Sequence, residues 1–136
     1  MTTATHKQLM QDIFAELSQG NSKPFVDAMA DGFRWTIPGT TPWSRTYDGK
    51  QAVLAELLAP LRAQMAERMK TTAHHVMAEG DRVVVEARGS NITRAGRRYG
   101  NSYCFVFRLA EGKLQEVTEY MDTQLLMTAL EPPAAG

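Results

Sequence analysis

The stretch "GRRYGNSYCFVFRLAEGKLQEVTEYMD", residues 96–122, decides the fold. Two runs of alternating residues flank the turn pair Glu111-Gly112. A period of two marks strands, and a short turn between two strands makes them antiparallel neighbours. In the first run Asn101, Tyr103, Phe105 and Phe107 share a face, opposite Ser102, Cys104, Val106 and Arg108. That aromatic face turns polar toward its start. It reads either as a cavity wall with hydrogen-bonding groups near the mouth or as a core capped by Tyr103 and Asn101. In the second run Val117, Glu119 and Met121 share a face, and Thr118, Tyr120 and Asp122 take the other. If Val117 and Met121 point inward, Glu119 does too. A carboxylate among apolar groups is costly unless paired or protonated. Desolvation raises its pKa, which suits a general acid or base. The competing reading makes Glu119 a structural partner for Arg88. Tyr120 and Asp122, on the other face, are expected to fix the chain end or a dimer partner.

Upstream, two more strands extend this meander. "RVVVEARGSNITRAG" (82–96) places Val83, Val85 and Ala87 on one face, and Val84, Glu86, Arg88 and Ser90 on the other. Glu86 and Arg88 are two residues apart and can pair, either as a solvent-facing or dimer-facing stripe or beside Glu119. "TTAHHVMAEGD" (71–81) carries His74 and His75, which point to opposite faces of a regular strand, so one should look inward. The three histidines do not form a metal-like cluster, and no metal or other cofactor is expected.

Before the meander the chain is mostly helical. Leu9, Met10, Ile13, Phe14 and Leu17 follow helical spacing until Gly20-Asn21. Ser22 and Pro24 open a second helix, with Phe25, Val26 and Met29 on its inner face. Phe33, Trp35 and Ile37 alternate with Arg34 and Thr36 as a strand. The following loop holds Trp43 and Tyr47 and should fold over something apolar. A third helix is expected over 49–69, kinked at Pro60. After the last strand a short helix or tail starts at Thr123, with residues 131–136 loose. Helices set before a meander give an α+β fold: three N-terminal helices packed in a bent, mostly antiparallel sheet, with a core near the helices and a cavity at the open end.

The chain has 136 residues, one domain's worth, and 15 basic against 15 acidic side chains. Zero net charge gives no field to hold a phosphate backbone, so no nucleic-acid partner is expected. It also leaves little repulsion between copies. No apolar run approaches membrane-spanning length, and "MTTATHKQLMQDIF" lacks the apolar stretch of a signal peptide. Cys104 alone makes no disulfide or zinc motif, which fits a cytoplasmic protein. The loops hold neither a nucleophile elbow nor a phosphate-binding glycine spacing.

The chain resembles the SnoaL-like branch of the nuclear transport factor 2-like superfamily, with its polyketide cyclases, ketosteroid isomerases and limonene epoxide hydrolases. The resemblance spans roughly residues 5–126. It is carried by "FRWTIPGTTPWSRTYDGKQAV" (33–53), "VVVEARG" (83–89), the 96–122 stretch and the helix order. It implies a cone-shaped α+β barrel with an apolar pocket, commonly a homodimer through the outer face of the sheet. The epoxide hydrolases use an Arg-x-Asp on one strand and an Asp on the last strand. Here Arg88 matches the arginine, Ser90 stands where the Asp should be, Glu119 matches the final acid, and Glu86 is a candidate substitute. The isomerase base is missing, because the segment before Pro38-Gly39 reads Trp35, Thr36, Ile37. The cyclases use an acid and a histidine, parts open to Glu119 and His74. The resemblance therefore implies a small apolar ligand and acid/base chemistry, with fold and reaction class only loosely coupled. Glu119, Arg88 and Glu86 are the catalytic candidates. Trp35, Trp43, Tyr47, His74, Asn101, Tyr103 and Phe105 are the candidate binding residues. A non-catalytic binding or dimerisation module is the alternative.

Overall fold

Thr2 starts the first helix. Its hydroxyl accepts from the Thr5 N–H at 3.1 Å, and the Thr5 hydroxyl accepts from the Thr2 N–H at 2.8 Å. This reciprocal cap satisfies two otherwise orphaned donors. In the computed structural model, which describes residues 2–133, helix α1 (Thr3–Leu17) buries His6, Met10, Ile13 and Phe14. Helix α2 (Lys23–Ala28) has a proline in its first turn and buries Phe25 and Ala28. The chain then enters strand β1 (Met29–Thr36), with Phe33 and Trp35 inward and Arg34 outward. Strand β2 (Thr46–Asp48) folds back antiparallel on β1.

The third helical run covers residues 50–63. It comprises α3 (Lys50–Ala52), a π-helical turn (Val53–Leu58) and α4 (Ala59–Ala63). The Ala59 N–H bonds the Leu54 carbonyl, five residues back. The proline ring at position 60 would clash with the carbonyl four residues earlier in a regular helix, and the widened turn relieves that clash. The run stops at Ala63 rather than at residue 69. There the Ala66 N–H donates to the Ile92 carbonyl at 3.0 Å and the Arg94 N–H to the Gln64 carbonyl at 2.8 Å. A distant hairpin has captured backbone groups that helix propensity alone would have kept.

The remaining strands are β3 (Thr71–Glu79), β4 (Arg82–Gly89), β5 (Asn91–Ile92), β6 (Arg98–Tyr99), β7 (Ser102–Ala110) and β8 (Lys113–Met121). The main sheet has the order β2-β1-β8-β7-β4-β3. Strand β1 lies parallel to β8, and all other pairs are antiparallel. Glu111 and Gly112 both have positive φ, 51° and 76°. A two-residue hairpin with the right twist needs that backbone. A bulge then shifts the register by one, since Leu109 pairs with Leu114 but Arg108 pairs with Glu116, and this shift sets Phe105 opposite Glu119 across β7 and β8. The expected long strand over 82–96 breaks at Gly89. Ser90 donates to the Lys70 carbonyl, and β5 and β6 form their own ribbon. Gly100 packs against the Gly89 carbonyl, where a Cβ would lie 3.2 Å from that oxygen.

Three helical runs cover the concave face of the curled sheet, so the molecule is an α+β cone. Its core is aromatic. Phe105 packs on Tyr103 at 5.1 Å, Phe14 at 5.7 Å, Phe107 at 5.8 Å and Trp35 at 6.4 Å between ring centroids. Such pairs add about 0.5–1.5 kcal/mol each beyond the area they bury. Helix α5 (Thr123–Ala129), capped by the Asp122 carboxylate, follows β8. The expected looseness of residue 131 onward does not hold at Glu131. Its N–H and carbonyl both bond the Gln64 side-chain amide at 2.9 Å, and Trp43 Nε1 donates to the same carbonyl at 3.1 Å. Residues 134–136 lie outside the described residues. Among the described residues no helix is long and apolar enough to cross a membrane.

Candidate functional site

The helices do not fill the cone. A cavity of about 770 Å³ remains between α1, α2, the third helical run, the start of α5 and the concave face of the sheet. Its walls are Phe14, Phe25, Trp35, Trp43, Phe105 and Phe107, closed by Leu57, Leu58, Met65, Leu126 and Leu130. Glu119 is the one carboxylate among the buried residues that line it. The parity of β8 forces this placement. Val117 and Met121 turn inward to pack against the core and the cavity, and Glu119 lies between them.

The Glu119 side chain keeps only 8% of its possible exposure. Its Oε1 accepts from Trp35 Nε1 at 2.9 Å. Burial pushes its pKa up from 4.5 to about 7, and the Trp35 hydrogen bond opposes that rise only in part. Among the described residues no cation offsets the cost of its charge. A carboxyl in this state exchanges a proton near neutral pH in either direction, as a proton-transfer catalyst must.

Two phenols stand near it. Burial pushes Tyr99 up to about 12 and Tyr103 well above its ordinary value, and the charge of Glu119 adds to both shifts. Each phenol also shifts the other's titration, so the two hydroxyls lie together. Both therefore remain neutral hydroxyl donors at physiological pH. Asn101, fully buried, fastens this corner. Its Nδ2 donates to the Tyr99 hydroxyl at 3.2 Å and to the Asp122 carbonyl at 3.1 Å. Its Oδ1 accepts from the backbone of Ser102 at 2.8 Å and Asp122 at 3.1 Å.

The structure sorts the candidate residues into two groups. Glu119, Trp35, Trp43, Tyr103 and Phe105 line the cavity. Glu86, Arg88 and His74 do not. Glu86 and Arg88 lie on the outer face of β4, opposite Val83, Val85 and Ala87. The expected pairing of Arg88 with Glu119 is therefore absent: the two side chains project from opposite faces of the sheet. Glu86 instead meets His75 Nδ1 at 3.2 Å. His74 is the extra residue of a bulge, since β3 and β4 pair Ala73 with Ala87 and then His75 with Glu86. The bulge breaks the alternation, and both imidazoles are exposed with ring centroids 5.4 Å apart. Tyr47 and Asn101 are buried but do not line the cavity. The Tyr47 hydroxyl donates to the Trp43 carbonyl at 2.9 Å, so it braces the tryptophan from behind. Tyr99 was missed, although it continues the two-residue period of Asn101, Tyr103 and Phe105 backward.

The model of the SnoaL-like domain matches residues 10–117. The chain belongs to this family. An NTF2-like protein from Burkholderia xenovorans LB400 is 26% identical, with a TM-score of 0.72 over 96% of this chain and 99% of that one. A protein from Jannaschia sp. CCS1, provisionally named a SnoaL-like polyketide cyclase, is 23% identical, with a TM-score of 0.74 over 95% of this chain and 94% of that one. TerC, co-crystallised with polyporic acid, is 18% identical, with a TM-score of 0.75 over 91% of this chain and 96% of that one. The likenesses below a quarter identity speak for the fold alone. No curated protein matches the chain.

Proposed function

We propose that this SnoaL-like protein is an acid/base enzyme of cyclase or isomerase type, acting on a small apolar ketone bound in the cavity. The observation that carries this reading is Glu119: a carboxyl at the wall of an aromatic cavity, with its pKa raised to about 7 and no cation holding it. In the ionised form it removes a proton from the carbon beside the ligand's carbonyl. The electron pair of that C–H bond moves to the carbonyl oxygen, and the Tyr103 hydroxyl donates a hydrogen bond to the enolate formed. The protonated Glu119 then returns the proton to the same or a neighbouring carbon. Trp35 holds the carboxylate in position, and the aromatic walls exclude water. A positioned carboxylate of matched pKa contributes about 10²–10⁴-fold to such a transfer. TerC, a neighbour of the same fold, was co-crystallised with polyporic acid, which supports an organic ligand for this reading.

A second reading has its own observation. Glu86, Arg88 and His74, the expected catalytic partners, lie outside the cavity, which favours a binding protein without turnover. Deuterium uptake separates the two. Cyclic ketones incubated with the protein in heavy water should exchange the hydrogens beside the carbonyl faster than buffer alone, with a rate that rises with pH and levels off above about 7. Glu119→Gln should lower that rate by about 10²–10⁴-fold with ketone affinity retained. Binding with exchange no faster than buffer would leave the non-catalytic reading standing.

A further inference from the structure

The rim of the cavity has a character its floor lacks. Arg62 and Arg68, at and just after the end of α4, and Arg94, between β5 and β6, all line the cavity and are all exposed, which puts them at its mouth. Two of them are tethered. Arg62 Nη2 donates to Ser22 Oγ at 3.1 Å, across the gap between α4 and the start of α2. Arg94 Nε donates to the Ala63 carbonyl at 2.9 Å, and its backbone N–H is held by Gln64. The Arg68 stem packs beside Gly20. Among the described residues none of these three guanidinium groups has a carboxylate within ion-pair distance, whereas Arg45, Arg97 and Arg108 each have one and Arg34 has two. Lys23, also at the rim, is matched by Asp27 at 2.6 Å. Glu67 is the one other acid there. Three arginines against one glutamate leave the mouth cationic in a chain of zero net charge. A local surplus on a neutral chain is a directed field, focused by a cavity with apolar walls.

We infer that the cavity selects amphipathic anions: ligands with an apolar ring body for the aromatic interior and a carboxylate that stays at the mouth against Arg62, Arg68 and Arg94. Geometry fixes the orientation. A carboxylate turned inward would meet Glu119 and apolar walls, while one left at the rim meets forked donors suited to its shape. Tethering matters too, because a guanidinium already held by one hydrogen bond loses less freedom on binding. The inference rests on the apolar-cavity reading above and names the ligand class that reading leaves open.

Naphthylacetate and its neutral counterpart naphthylacetamide test it by isothermal titration calorimetry on the full chain. The acid should bind about tenfold more tightly than the amide at low salt. That preference should fall when ionic strength rises from about 0.01 M to about 1 M, because the screening length drops from about 30 Å to about 3 Å. The triple variant R62Q/R68Q/R94Q should erase it, and each single change should remove about two- to threefold. The single changes carry the test if the triple variant does not fold. The double variant R82Q/R88Q, which removes two charges from outside the cavity, should keep the preference. Equal affinity for acid and amide, or a preference that survives the rim substitutions, overturns the inference and leaves the cavity reading intact. Binding of neither probe overturns both. A parent protein that shows the preference but exchanges ketone hydrogens no faster than buffer leaves the anion inference standing and removes only the catalytic one.

Discussion

Glu119 and Glu86 are both strand glutamates, and each carboxyl lies within hydrogen-bond distance of a ring nitrogen: Trp35 Nε1 at 2.9 Å for one, His75 Nδ1 at 3.2 Å for the other. Everything else separates them. Glu119 is buried among aromatic rings, and its pKa is driven to about 7. The Glu86 side chain keeps 45% of its exposure, and the imidazole beside it keeps 70%. The same residue type with the same kind of partner becomes a candidate catalyst on one face and a solvated surface pair on the other. Dielectric surroundings make the difference.

The largest test of that contrast is turnover. Glu119→Gln should cost about 10²–10⁴-fold in ketone exchange, while Glu86→Gln and Arg88→Gln should each stay within about twofold. Next in size is a pH effect on stability, which needs no substrate. The folded chain holds the Glu119 proton more tightly than the unfolded chain, with a pKa of about 7 against 4.5. The stability this contributes is full below about pH 4.5, declines as pH rises, and is gone once pH passes about 7. Its span is about 3 kcal/mol at 1.36 kcal/mol per unit. Glu119→Gln has no carboxyl to ionise. Urea unfolding should therefore show the variant gaining about 2 to 3 kcal/mol on the parent between pH 4.5 and pH 8. A difference that stays flat across that range would mean the carboxylate is solvated when ionised.

A smaller effect divides the inner face itself. Asn101 shares the cavity-facing parity of Tyr103 and Phe105, yet all its hydrogen bonds go to the protein, two of them to the backbone of Asp122. Asn101→Ala would leave buried backbone groups without partners, at about 2 to 3 kcal/mol in denaturant unfolding. Ligand affinity should change far less, because the side chain does not line the cavity. A loss of affinity without a loss of stability would put Asn101 among the binding residues after all.

Much of this was legible in the chain. Alternation in 101–107 and 117–121, joined by Glu111-Gly112, was enough to turn Glu119 inward and to expect α+β architecture. Parity also put Glu86 and Arg88 opposite Val83, Val85 and Ala87. Pairing Arg88 with Glu119 contradicted that parity, because the strand between them turns Phe105 toward the same side as Glu119. Other features had no local signal. The bulge that exposes His74 is a register shift between two strands. The early helix end at Ala63 and the clasp of Glu131 by Gln64 depend on segments about 30 and 67 residues away, whose meeting only tertiary packing decides. The cationic rim is likewise invisible in a net charge of zero.

The smallest effect belongs to the outer pair and is the most exacting check on the contrast. An exposed ion pair gains little in water and is worth about 0–1 kcal/mol. Glu86→Gln should shift unfolding free energy by less than about 0.5 kcal/mol, in mildly acidic and mildly basic buffer alike. The measurement is a pair of urea titrations, at pH 5 and pH 8, on parent and variant. A loss above about 2 kcal/mol would require Glu86 to be desolvated in the protein as it exists in solution. On a single chain that surface is open. Only a covering partner over the outer face of the sheet could supply the burial, and a stability that then rises with protein concentration would identify that partner as a second copy.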